Sequence, residues 1–239
     1  MDSRSEIETL EAVAGRFDSA QDFDVHYQRF FGRIVGERLR GKSCLELGCS
    51  SGVMSEVLVQ YVAELDLVDG SATYLDRAKE KVKGDRVRFF ESLFESFQPD
   101  RKYDAIVASH VLEHVDNPVA ILQRMKGWIV PTGAIFAFVP NANSIHRQLG
   151  VAMGLAASVY ELSERDHIVG HRRVYDPETL AKDIRAAGLE PGPLRGILVK
   201  PFHNALMESL SAAMVDGFLE LGRRIPEQAS DIYYECRLP

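Results

Sequence analysis

Five short apolar runs alternate with helical patterns between Ser43 and Val139, and this alternation restricts the possible folds more than any other feature of the chain. The runs are Ser43–Leu47, Glu64–Val68, Arg86–Phe90, Ala105–Ser109 and Ala134–Val139. The last two are the most apolar, as strands covered on both faces must be. Helical spacing recurs over Val53–Tyr61, Thr73–Val82 and Val119–Trp128, the last opening on Asn117 as N-cap and Pro118 in the first turn. Strands that alternate with helices predict an α/β fold around a mostly parallel sheet, since parallel neighbours need a crossover. Ligands of such sheets bind beyond the carboxyl ends of the strands. Attention therefore falls on Gly48–Gly52, Asp69–Ser71, Ser92–Phe94, Ser109–His114 and Pro140–Ser144.

The flanks read differently. The first forty residues read as helix, with Phe23, Tyr27, Phe30, Phe31 and Ile34 at helical spacing. From Ala142 to about Tyr175 the alternation lapses. There Val151–Tyr160 reads as a small apolar helix and Glu161–His171 is rich in charge and histidine, so 142–175 is expected to be an insertion over the mouth of the site. A helix over Pro177–Ala187, a strand near Leu194–Val199, a helix over Ala205–Leu221 and a strand over Ile232–Arg237 complete the chain. The stripe Leu206, Leu210, Met214, Phe218 and Leu221 reads as core. Without repeats or linkers, residues 1–239 are expected to form a single domain.

Composition narrows the function classes. With 28 Lys+Arg against 35 Asp+Glu the net charge is −7, which argues against a nucleic-acid partner gripped through its phosphates. No apolar run approaches the roughly 18 residues of a membrane span, so no membrane partner is expected. Asp2, Glu6, Glu8 and Glu11 punctuate the start, unlike a secretory signal. Three cysteines, Cys44, Cys49 and Cys236, make no disulfide framework and fit a reducing cytoplasm.

The chemistry concentrates in Cys44–Gly52, a strand running into a turn of small residues and then a helix. Small residues let backbone approach a ligand, and the helix start offers unpaired N–H groups. A dinucleotide loop would need G-x-G-x-x-G. The matching positions here are Gly48, Ser50 and Val53, so that fingerprint fails. Glu46 instead sits inside the strand, where a pyrophosphate would be repelled and a cation welcomed. Asp69 ends the next strand, the place from which a carboxylate grips ribose hydroxyls. Each alone reads equally well as a turn or helix cap; together, with the glycines between them, they point to a nucleoside site.

Leu45-Glu-Leu-Gly-Cys-Ser-Ser-Gly52, Leu67-Val-Asp-Gly-Ser71, Tyr103-Asp-Ala-Ile-Val107 with His110-Val-Leu-Glu-His-Val115, and Gly133–Asn141 resemble the ordered motifs of class I S-adenosylmethionine-dependent methyltransferases, nearest the ubiquinone-biosynthesis-type small-molecule branch. The likeness is strong over Gly41–Asn143 and loose elsewhere. It implies a three-layer α/β/α Rossmann-like fold with seven strands in the order 3-2-1-4-5-7-6, mostly parallel, the last antiparallel. It also implies an N-terminal helical cap over 1–40, a small-molecule substrate, and a monomer or homodimer. By the same likeness Gly48, Cys49, Ser50 and Gly52 pass beneath the methionine of S-adenosylmethionine, near Glu46. Asp69 binds the ribose with Gly70 and Ser71 beside the adenine, Ser92, Leu93 and Phe94 flank the adenine, and Ser109 and His110 border the sulfonium. Two departures stand out: an acidic residue is usual near Ser92, and a glycine is common at Ser50–Ser51. Tyr27 reads either as a partner of the cofactor carboxylate or as core.

His110, Glu113 and His114 fall at i, i+3 and i+4 and share a face if helical. Some relatives with a Glu in the first place use a metal there. Here the more economical reading has His110 lining the pocket while Glu113 and His114 organise the loop, and no metal is assigned. The catalytic candidates are His110, Asn141, His167, His171 and Tyr175, while His146 is a further lid histidine and Arg172–Arg173 read as surface. The expected activity is methyl transfer to an O, N or S atom. The alternative on the same fold is cyclisation of the cofactor to azetidine-2-carboxylate and methylthioadenosine, with Tyr175 steadying the sulfonium through its ring.

Overall fold

A computed structural model describes residues 3–239; the first two residues of the expected 1–40 cap lie outside the described residues. The elements run α1 (Ser3–Ala14), α2 (Val25–Arg38), β1 (Ser43–Leu47), α3 (Val53–Leu58), β2 (Glu64–Asp69), α4 (Ala72–Lys81), β3 (Val87–Glu91), β4 (Tyr103–Ser109), α5 (Pro118–Trp128) and β5 (Ile129–Pro140). There follow α6 (Ile145–Ala152), α7 (Glu164–Val169), α8 (Pro177–Ala186), β6 (Glu190–Pro191), β7 (Arg195–Ile197), α9 (Asn204–Met207), α10 (Ala212–Arg224) and β8 (Asp231–Arg237).

Among the described residues the strands form one sheet in the order β3-β2-β1-β4-β5-β8, with β6 and β7 both pairing β8 at the far edge. Strands β1 to β5 pair in parallel, and β8 runs antiparallel to β5. The expected order is therefore observed, with the edge strand broken in two. Pro191 and Pro193 lack the N–H a continuous ladder needs.

Period-two alternation in the strands divides the core. Leu45 and Leu47 share one face with Ile106, Ile135 and Ala137, covered by α5 and α8 through Leu122, Met125, Leu180 and Ile184. Cys44, Leu65, Leu67, Val107 and Phe138 face the other way, under Phe31, Val35, Leu58, Val215 and Leu219. Three layers result, each sheet face burying an apolar helix stripe.

The N-terminal segment is helical as expected, in two helices separated by a short 3-10 turn at Ser19–Gln21 that Asp18 caps. Two local expectations fail in whole or in part. The helix of the inserted segment lies over Ile145–Ala152 rather than 151–160. Of the stripe at 206–221, only Leu210 and Phe218 pack against the core, and both are partly buried. The helix breaks before Ser211, which caps α10 afresh and resets its phase, so Val215, Leu219 and Gly222 turn inward. Leu206, Met214 and Leu221 are left exposed.

Candidate functional site

At the carboxyl ends of β1, β2 and β4, beside the point where strand order reverses, lies a cavity of about 670 Å³. Its walls combine the β1–α3 and β2–α4 turns, the ends of β4 and β5, the N-terminal segment and residues 146–171. The segments above are tied together by side-chain ion pairs. Arg165 of α7 donates to Asp22 (2.8 Å) and Asp24 (2.7 Å). Arg147 donates to Asp166 (2.7 Å), which also accepts from Ser163 (2.7 Å) and pairs with His171 (2.7 Å). Those contacts hold the Asp166 carboxyl far below its ordinary range although burial opposes them.

Glu46 and Asp69 both reach this cavity, 1% and 7% exposed. Asp69 Oδ2 accepts the Ser50 N–H and Oδ1 the Ser71 N–H, each at 2.9 Å, which leaves one lone pair per oxygen for a ligand hydroxyl. Burial nevertheless raises its pKa to about 6. Glu46 Oε2 has no hydrogen-bond partner, and burial, with the Asp69 charge adding to it, pushes this carboxyl to about 8. Two crowded carboxyls in an apolar wall are an unfavourable arrangement that hydroxyl donors and a cation would relieve.

The loop between them is shaped for close approach. Gly48 takes φ +71, and a Cβ there would come within 3.0 Å of Val111 Cγ2. Ser50 occupies the left-handed region at φ +48, the conformation a glycine would adopt without strain. Gly52 differs from the residues that line the cavity. At φ +78 its missing Cβ would sit 2.9 Å from Ala78 Cα, so the glycine serves to let α3 start against α4.

Cys49, Ser50, Gly70, Leu93, Phe94, Ser109, His110 and Tyr27 line the cavity with Glu46, Gly48 and Asp69. Ser71 is fully buried and caps α4 through Tyr74 N–H. Ser92 donates to the Leu93 carbonyl and is not in the wall.

His110 follows β4 in strained backbone, φ +55. Its ring stacks on Tyr27 (centroids 5.2 Å, 27°) and meets Phe138 edge-on. Nδ1 lies 3.0 Å from Glu113 Oε1 and Nε2 3.5 Å from Asp231 Oδ1, a carboxylate toward each nitrogen. Burial pulls the His110 pKa down, but Glu113 and then Asp231 outweigh it and the result is raised. Glu113 is fully buried and held at about 2, because the neighbouring histidines overcome its burial. Among the described residues, the three whose donor atoms could close on a divalent cation are His110, Glu113 and His171, all within 4.8 Å of one another. His114 instead turns to the Gly170 carbonyl, and burial lowers its pKa to about 4.

Three catalytic candidates, Asn141, His167 and Tyr175, are not among the residues that line the wall. Asn141 is completely buried and donates to the Glu227 and Ala229 carbonyls (2.9 and 2.8 Å), tying the end of β5 to the start of β8. Tyr175 bridges to Asn141 through backbone and donates its hydroxyl to Asp183 (2.9 Å). His167 lies exposed on the outer face of α7. Of the lid histidines, His171 and His146 do reach the cavity; burial takes His146 down to about 3. Asp231 and Lys200 join the wall without any local sequence signal that marks them. An antiparallel strand offers its first residue, not its last, at this edge, and Asp231 opens β8. Applying the strand-end rule to both strand directions would have found it.

With this geometry in view, a family model described as a methyltransferase domain matches residues 21–191. The chain is 28% identical over 180 residues to a ubiquinone biosynthesis O-methyltransferase from Paraburkholderia phytofirmans, which spans 74% of this chain and 76% of the relative. Among solved structures, DhpI in complex with SAH superposes with a TM-score of 0.61 at 17% identity, covering 99% of this chain and 96% of that one. A putative methyltransferase in complex with its Trm112 activator, from Haloferax volcanii, gives 0.63 at 16% identity over 90% and 91% of the two chains. At such identities these structures speak for the fold alone.

Proposed function

Because this chain belongs to the methyltransferase-domain family, we propose that it takes S-adenosylmethionine as methyl donor and methylates an O, N or S atom of a small molecule. The observation that carries this reading is the pair of buried carboxyls, Glu46 and Asp69, at adjacent strand ends with the left-handed Gly48–Ser50 turn between them. Asp69 keeps a free lone pair on each oxygen for the ribose hydroxyls, and Glu46 offers an unpartnered oxygen to the ammonium of the methionine arm. Leu93 and Phe94 provide apolar surface for the adenine, and Tyr27 and His110 stand where the methionine arm meets the acceptor.

When bound, the sulfonium supplies an activated methyl group and a thioether leaving group. What remains for the protein is orientation, exclusion of water and custody of the acceptor's proton. His110 suits the last of these, because Glu113 and Asp231 fix its ring and make it a stronger base than a free imidazole. Residues 146–171, clamped by Arg165 and Arg147, close the cavity over that point.

The test is incubation with S-adenosylmethionine, alone and with candidate acceptors, the products resolved by mass. Adenosylhomocysteine that forms only when an acceptor is added supports the reading. Methylthioadenosine formed without acceptor replaces methyl transfer by cyclisation, and a folded protein that does not bind the cofactor refutes both.

A further inference from the structure

The end of the cavity away from Glu46 and Asp69 carries charge of both signs. Most of that charge is already spent. Arg147 donates to Asp166 and to the Val159 and Glu161 carbonyls, and Arg165 is occupied by Asp22 and Asp24. Asp166 is saturated by Arg147, Ser163 and His171. Glu113 is sealed behind His110 with no exposed surface.

Besides His110 Nε2 and His146 Nδ1, which have no hydrogen-bond partner among the described residues, this wall holds a lysine and an aspartate with unfilled capacity. The Lys200 ammonium has three donors and, among the described residues, makes one hydrogen bond, to Asn204 Oδ1 at 3.0 Å. Asn204 is itself anchored on Asp22 and Asp24, which fixes the place of that ammonium. Asp231 is 3% exposed, has His110 3.5 Å from Oδ1, and has no hydrogen-bond partner at Oδ2. Lys200 and Asp231 both line the cavity, yet no ion pair within 4.0 Å joins the two among the described residues. They face a common space across a gap wider than a salt bridge. A buried carboxylate oxygen left without a partner is costly, and a ligand that completes Asp231 and also reaches the partly exposed Lys200 carries the opposite charges.

We propose that the acceptor site takes a small zwitterion of the amino-acid class, with its ammonium toward Asp231 and its acid group toward Lys200. This rests on the methyl-transfer reading and narrows it. The site favours a compact ionic acceptor over a long apolar one: the polar wall of Lys200, Asp231, His146 and His203 would have to be desolvated against a hydrocarbon tail without compensation. Asp231 and Lys200 then act as specificity-determining residues, each reading one end of the acceptor.

The experiment loads the protein with S-adenosylhomocysteine and follows its thermal unfolding with each of the proteinogenic L-amino acids, their N-acetyl forms and their primary amides. The same compounds are offered with S-adenosylmethionine and methylated products are sought by mass. The expected result is that at least one free amino acid raises the midpoint or is methylated, at least about tenfold better than both its N-acetyl and amide counterparts. Asp231→Asn should abolish discrimination against the N-acetyl form, and Lys200→Met discrimination against the amide, with S-adenosylhomocysteine affinity retained in both. Lys200 is partly exposed, so that variant remains informative should Asp231→Asn fold poorly. An inert panel, or counterparts that serve as well as the free amino acids, overturns the proposal. Failure to bind S-adenosylhomocysteine at all would instead overturn the methyltransferase reading beneath it.

Discussion

Replacing Glu46 by glutamine should make the free protein more stable at neutral pH and a poorer binder of S-adenosylmethionine. The folded-state pKa of Glu46 is about 8 against an ordinary 4.5, because the carboxyl is buried without a hydrogen-bond partner for Oε2 and beside Asp69. A raised carboxyl means that the native state holds a proton which the unfolded chain releases. Stability therefore falls as pH rises from the unfolded value toward the folded one, and levels off above it. Each unit of that window is worth about 1.36 kcal/mol, so between about pH 5 and about pH 7.5 the wild type should lose roughly 3 kcal/mol that the glutamine variant keeps. Asp69 titrates in both proteins, and to first order its share cancels from the difference. Urea unfolding of the two proteins across this range, without ligand, gives the difference directly. Calorimetry should show S-adenosylmethionine affinity reduced by about tenfold or more, since the ligand's ammonium loses a charged partner. Stability curves that run parallel over the range would show that Glu46 is not buried as an acid, and the electrostatic account of the cavity would fall with it.

Asp69→Ala removes the acceptor of two ribose hydroxyls and should weaken S-adenosylmethionine binding by about 1.5–3 kcal/mol; unchanged calorimetric affinity in a folded variant would refute the assignment. Gly52→Ala places a Cβ 2.9 Å from the Ala78 backbone at φ +78 and should destabilise the fold by about 2 kcal/mol or more in urea melts, through the packing of α3 on α4. Tyr175→Phe should cost about 1 kcal/mol of stability by losing the bond to Asp183, while S-adenosylmethionine affinity stays at the wild-type value; a loss of affinity would return Tyr175 to the site. Arg165→Ala cuts the tie between α7 and the N-terminal segment, and amide exchange over 164–169 should rise several-fold with little change in global stability, since an exposed pair contributes only about 0.2–1 kcal/mol.

By itself the amino-acid sequence determined the layering and the part of the cavity wall built from the turns after β1, β2 and β4. Strand–helix alternation is written in adjacent residues, and so are the turns that follow parallel strands, which is why local pattern is enough to locate Glu46, Gly48, Ser50, Asp69 and His110. The rest was decided by tertiary structure. Asn141, an apparent ligand residue after an apolar strand, turned inward because two carbonyls between α10 and β8 needed donors. His171 joins His110 and Glu113 in one cluster because α7 folds back over the loop, while His114 turns to the Gly170 carbonyl. The apolar face of 206–221 lost its register at a helix break that periodicity does not reveal. Asp231 faces the cavity because β8 runs against β5 and brings its first residue to the edge where β5 presents its last, and Lys200 because it follows β7, which pairs antiparallel with β8. Local propensity and periodicity are properties of neighbours along the chain. Which polar groups are satisfied by the protein and which are left for a ligand depends on contacts between distant segments, and it is settled only when the layers close.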